Sequence, residues 1–171
     1  QTFEVVPMKK GTLEGAKMED VVAFWRKYEA AVRSSSAVSL TMKNAMTQLK
    51  GMKKALISSR AEVGDLDSRI HNLKMELMDL NTQLNGDVSK NSVGEKVNPT
   101  VGDRLFKLSI GISNSTYGPT DTHKMMMSMV DSELNDIRTK LEASQQKIKA
   151  LGSDLMKAGA PWVEGGILPR N

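Results

Sequence analysis

The stretch VGDLDSRIHNLKMELMDLNTQL, residues 63–84, decides the fold. Val63, Leu66, Ile70, Leu73, Leu77, Leu80 and Leu84 follow one another at alternating steps of three and four, with no polar residue among them. At 3.6 residues per turn this alternation draws one apolar stripe along a single helix face, and other helices must cover such a stripe. Ser59 and Glu62 upstream have the spacing of a capping box, which predicts a helix over about 60–86.

The same alternation extends in both directions. Before it run Val21, Phe24, Tyr28, Ala31, Ser35, Val38, Met42, Ala45, Leu49, Met52 and Leu56, where only Ser35 is polar. They predict a helix over about 18–58, on the order of 60 Å long and in need of partners along its length. Ser34, Ser35 and Ser36 mark the place for it to bend. The short connection to the next helix makes the two antiparallel neighbours.

After the central stretch, residues 86–98 are polar and aperiodic and read as a loop. Asn98-Pro99-Thr100 gives a stop and then a cap, Asp103 lies three residues past Thr100, and Val101, Leu105, Leu108 and Ile112 continue the spacing over about 100–114. A break at Tyr117-Gly118-Pro119-Thr120 precedes the last helix, about 120–158, whose stripe is Met127, Val130, Leu134, Ile137, Leu141, Ser144, Ile148, Leu151 and Leu155. Gly159-Ala160-Pro161 ends it.

The first and last helices are each close to forty residues, and the two shorter ones with their loop span about the same distance. The expected fold is therefore all-α: an elongated antiparallel up-and-down helical bundle of two long and two shorter helices, with crossings of roughly 20°. Thr2 to Val6 alternates like a strand and reads as a β-strand remnant, with its pairing partners outside this chain. The organisation expected is a strand and linker over 1–15, a bundle over 16–160 and an extended tail over 161–171.

Composition narrows the function. With 171 residues and no cysteine, the chain has no disulfide scaffold, thiolate zinc site or cysteine nucleophile. No apolar run approaches the roughly 18 residues of a membrane span, so no membrane insertion is expected. The net charge of +4 is unevenly spread. Lys17 to Ser58 holds eight basic and three acidic residues, whereas Ala61 to Gly86 holds five acidic and two basic. Opposite signs on adjacent antiparallel helices read as complementary flanks of one seam, and no base-stacking aromatics interleave the basic residues, so nucleic acid is not an expected partner.

Few groups suggest chemistry. Met125, Met126, Met127 and Met129 cluster at a helix start, where methionine fills irregular gaps at a bundle end. His71 lies beside the seam and His123 on it, and neither forms a ligand pair. Asp131, Glu133 and Asp136 read as a solvated helix face. Gly51, Gly64 and Gly152 stand alone inside expected helices, which suggests close helix approach or local weakness. No residue is assigned a catalytic, cofactor-binding or metal-binding role, and no cofactor is expected.

Four stretches taken in order, Thr2-Phe3-Glu4-Val5-Val6-Pro7, Asn98 to Leu105, Tyr117-Gly118-Pro119-Thr120 and Gly159-Ala160-Pro161-Trp162, resemble the C-terminal region of large bacterial BNR-repeat proteins. These are sortilin-like β-propeller proteins, often labelled glycosyl hydrolases. The resemblance spans the chain, but its motifs are caps and turns. It implies that a propeller and a small β-sandwich precede this helical region, and that any hydrolase activity resides in that absent propeller. No Asp-box repeat or catalytic carboxylate of the family is matched here, so no site residue carries over.

The start at Gln1 with no leader fits a processed product or a fragment of something longer. The expected role is a non-catalytic C-terminal module, a brace, spacer or docking surface, of a periplasmic or secreted bacterial protein. Its partners are the preceding domains of the same polypeptide, with another protein as a further candidate. The alternative is a free-standing coiled-coil adaptor or oligomerisation module.

Overall fold

The computed structural model describes residues 2–4, 6, 12, 14–59, 64–95 and 97–166. They form α1 (Met18–Ile57), α2 (Leu66–Asn85), the single-turn α3 (Val88–Ser92), α4 (Val101–Ser113) and α5 (Asp121–Lys157). The all-α bundle of two long and two shorter helices is present. The strand is not: Thr2, Phe3, Glu4 and Val6 are coil, and no strand pairs among the described residues. A lone extended segment has no strand to pair with, and the exposed backbone of these residues is left to water.

Every stripe residue of α2 from Leu66 to Leu84 is buried, as is every stripe residue of α5 from Met127 to Leu155. Along α1, Val21, Tyr28 and Ser35 are half-buried, and the other eight stripe positions are fully buried. The helix is continuous through Ser34, Ser35 and Ser36, whose hydroxyls do not interrupt it.

Some boundaries differ from expectation. α2 starts at Leu66 with Asp65 at its N-cap, after Gly64 has turned the chain at φ +51°. Gly64 is thus a turn residue rather than a helical one. The expected capping partner Glu62 and the stripe position Val63 lie outside the described residues. The segment 86–98 holds the short helix α3, nucleated where the Asp87 carboxylate accepts from the Ser89 and Lys90 N–H groups.

The start of α4 and the stop after α5 follow their sequence signals, and at α5, where the sequence shows only a break and His123 reads as a seam residue, a capping box forms. At α4 the Asp103 N–H donates to the Thr100 hydroxyl (3.2 Å) while the Thr100 N–H donates to the Asp103 carboxylate (2.9 Å). At α5 the His123 N–H donates to the Thr120 hydroxyl and the Thr120 N–H donates to His123 Nδ1, both at 3.3 Å. Beyond α5, Ala160 N–H donates to the Leu155 carbonyl and Gly159 N–H to Met156, with Gly159 at φ +71°. That is the paired C-terminal closure for which glycine is the favoured residue.

Contacts between helices set the directions. Lys27 of α1 meets Asp131 of α5 near the start of both helices (2.7 Å). Ser59, just past α1, donates to the Ala158 carbonyl just past α5 (3.2 Å). The two long helices therefore run parallel. α2 opposes both: Lys53 pairs with Asp67, and Arg69 pairs with Asp154 (2.9 Å). α4 continues the descent of α2, since a Cβ on Gly102 would lie 3.3 Å from the Leu84 carbonyl and Arg104 meets Glu133 (3.3 Å). The molecule thus has three columns: α1 up, α2 and α4 stacked end to end down, and α5 up. One apolar core cluster runs through all of them, from Phe24 to Leu155.

Candidate functional site

The groups singled out from sequence are dispersed by the fold. Asp131, Glu133 and Asp136 each hold a different cation, namely Lys27, Arg104 and Lys140. They do not converge on a common point. Among the described residues, no group of three His, Cys, Asp or Glu side chains is arranged to hold a metal ion. The methionine cluster divides by face: Met127 is buried in the core, Met126 is half-buried, and Met125 and Met129 are exposed. His71 is exposed on α2. His123 closes the capping box with Nδ1 and lays its ring over α4, where a Cβ on Gly111 would stand 2.4 Å from Nε2.

Two carboxyl groups are held below the usual carboxylate range. For Asp103 the main cause is the Thr100 N–H hydrogen bond of the α4 cap. For Asp154 it is the hydrogen bond from Arg69. Both causes are architectural: one closes a helix start, the other ties α2 to α5.

The acidic flank of α2 serves two neighbours rather than one. Asp67 answers Lys53 on α1, but Glu76 accepts from Lys147 on α5 (2.8 and 3.0 Å) and sits 3.3 Å from the hydroxyl of Ser144. Ser144 also donates to the Lys140 carbonyl (3.1 Å), so this buried polar residue of the α5 stripe is satisfied.

A concavity lies between α1 and α5 at the end where both helices finish. It is an open groove of about 950 Å³, and one of its walls is the segment Pro161–Gly165. Of the tail expected over 161–171, residues 167–171 lie outside the described residues, and the segment 161–166 turns back over the helices: Gly166 N–H donates to the Val163 carbonyl (2.9 Å) and Gln48 Nε2 to the Gly165 carbonyl (3.2 Å). We call it the strap. Gly51 makes room for it, because a Cβ there would lie 2.8 Å from Val163 Cγ1. Gly152 serves helix approach, with a Cβ position 3.3 Å from Met52 Cε.

In the sequence Gly51 suggests close helix approach or local weakness without a partner, and Lys50 and Lys54 count only as part of the basic flank of α1 set against α2; Gln48 and Lys149 carry no signal there. The available signal was the off-stripe glycine in a long helix combined with a Gly-Ala-Pro stop that leaves apolar Trp162 and Val163 beyond the helix end. Among the described residues, no helix is long and apolar enough to cross a membrane. Comparisons of the chain with protein-family models, curated proteins and solved structures returned no match.

Proposed function

We propose that this chain is a non-catalytic helical spacer, a stiff module within a larger secreted β-propeller protein of the BNR-repeat, sortilin-like kind. The observation that carries the reading is the odd number of columns. With α1 and α5 parallel, the chain enters the bundle at one end and leaves it at the other, separated by a forty-residue helix of about 60 Å. An even-columned bundle returns the chain to its starting end and separates nothing. Stiffness is supported by the continuous core and by ion pairs that link α5 to α1, α2 and α4. The family part of the proposal rests on the sequence resemblance alone, carried by Thr2 to Pro7, Asn98 to Leu105, Tyr117 to Thr120 and Gly159 to Trp162.

A free-standing oligomerisation module is the second reading. It is favoured by Phe106 and Ile110, one turn apart on α4 and 66% and 47% exposed. Sedimentation equilibrium discriminates: the spacer stays monomeric across a hundredfold concentration range, and a stable dimer transfers support to the oligomerisation reading. Release of nitrophenol from aryl glycosides above the buffer rate would end the non-catalytic reading.

A further inference from the structure

We propose that the groove between α1 and α5 beside the strap receives an acidic, extended segment of a partner protein. The inference stands apart from the spacer reading, because it rests on the groove's charge and hydrogen-bonding groups rather than on the direction of the columns.

The charge is one-sided. Lys50 and Lys54 on α1 and Lys149 on α5 line the groove, all three are exposed, and none has an ion-pair partner among the described residues. Lys27, Lys53 and Lys147 pair across helices, while Lys17, Lys43, Lys74 and Lys107 also have no ion-pair partner among the described residues; what distinguishes Lys50, Lys54 and Lys149 is that all three line one concavity. The one carboxylate among the lining residues is Glu164 of the strap. Three unneutralised ammonium groups beside a single acid leave a local positive field, and an occupant bearing carboxylates complements it.

The floor and walls fit a peptide. Buried Ala45 and Ile148 give an apolar bed. Thr41, Asn44 and Gln48 follow one another on α1 at steps of three and four, hence about 4.5–6 Å apart along the axis. An extended chain presents like-facing backbone groups about every 6.6 Å, close enough for successive rungs of this row to be used. One rung is already used this way: Gln48 donates its amide to the Gly165 carbonyl of the strap. The groove thus holds one short run of backbone at its upper end, while Thr41 and Asn44 continue the row below it.

A nucleic acid fits less well. Trp162 is the one aromatic and no arginine is present among the lining residues, whereas single strands are held by successive aromatic platforms and phosphates by bidentate guanidinium forks. Lysines on flexible stems act as point charges, which suits carboxylates spaced along a peptide.

The probe is a fluorescein-labelled ten-residue peptide of alternating Glu and Ala, titrated against the full chain by anisotropy at low salt. Reversing two groove charges, Lys50→Glu with Lys149→Glu, is expected to weaken binding about tenfold. Lys74→Glu with Lys107→Glu changes the net charge equally but away from the groove, and is expected to change binding less than about twofold. Carbodiimide coupling of the peptide to the unaltered chain, mapped by mass spectrometry, should concentrate on Lys50, Lys54 and Lys149, and it needs no variant to fold. The proposal is overturned by an absence of peptide binding, by equal weakening in both double variants, by coupling spread evenly over the lysines, or by a ten-nucleotide oligothymidylate that displaces the peptide at lower concentration.

Discussion

Replacing Gly118 by alanine tests the junction that fixes the lower end of the bundle. Gly118 has φ +84°, and a Cβ there would lie 2.8 Å from both Ala16 Cβ and Val21 Cγ2. Beside it the Ala16 N–H donates to the Tyr117 carbonyl (2.8 Å), so the segment before α1 is clasped against the turn that leads into α5. Two costs follow. The left-handed backbone disfavours any Cβ by about 1–2 kcal/mol, and the contacts at both methyl groups force a shift worth about 1–3 kcal/mol. The sum is about 2–5 kcal/mol, a large share of the stability of a domain of this size.

Gly94→Ala and Gly159→Ala isolate the first term, since they sit at φ +70° and +71° with nothing within 4 Å of the built Cβ. Each should cost about 1–2 kcal/mol. All three variants share the loss of unfolded-chain entropy that accompanies Gly→Ala, so it cancels in the comparison. Urea unfolding followed by circular dichroism gives the three values. A Gly118→Ala cost within about 0.5 kcal/mol of the Gly159→Ala cost would refute the packed junction, because only the backbone term would then be acting.

Two further outcomes are expected. Leu73→Asp places a carboxylate in the middle of the α2 stripe, at a position 5% exposed, and should lower stability by more than about 4 kcal/mol with visible loss of helicity; a near-unchanged thermal midpoint would mean that the stripe is not buried. Asp103 has a folded-state pKa below its unfolded value, so its cap contributes fully above the unfolded pKa and is lost as pH falls through the folded one. Asp103→Asn should therefore flatten the decline of the thermal midpoint from about pH 5 towards about pH 2, and an unchanged slope would remove the cap from the acid response.

Helix identity, helix faces and most helix ends were legible in the sequence for a local reason. A stripe position is defined by residues three and four apart, and a cap by residues three apart, so neither needs knowledge of the rest of the chain. The stripe from Leu66 to Leu84, the Thr100–Asp103 box and the Gly159 stop are each complete within one short stretch. No strand forms at Thr2, Phe3, Glu4 and Val6 for the converse reason: the alternation is local, but a strand's stability requires a neighbour.

Only the tertiary structure decided which polar groups meet. Glu76 reaches Lys147 across 71 residues, and Gln48 reaches Gly165 across 117. The same holds for Gly51, whose missing side chain acquires a purpose only once Val163 turns back over it. Those meetings depend on the register of whole helices and on the parallel course of α1 and α5, which no local spacing encodes. The sequence by itself determined the stripes and caps from which the columns are built; three-dimensional packing decided their directions, the strap and the lysine-lined groove beside it, because these join residues related only through the fold.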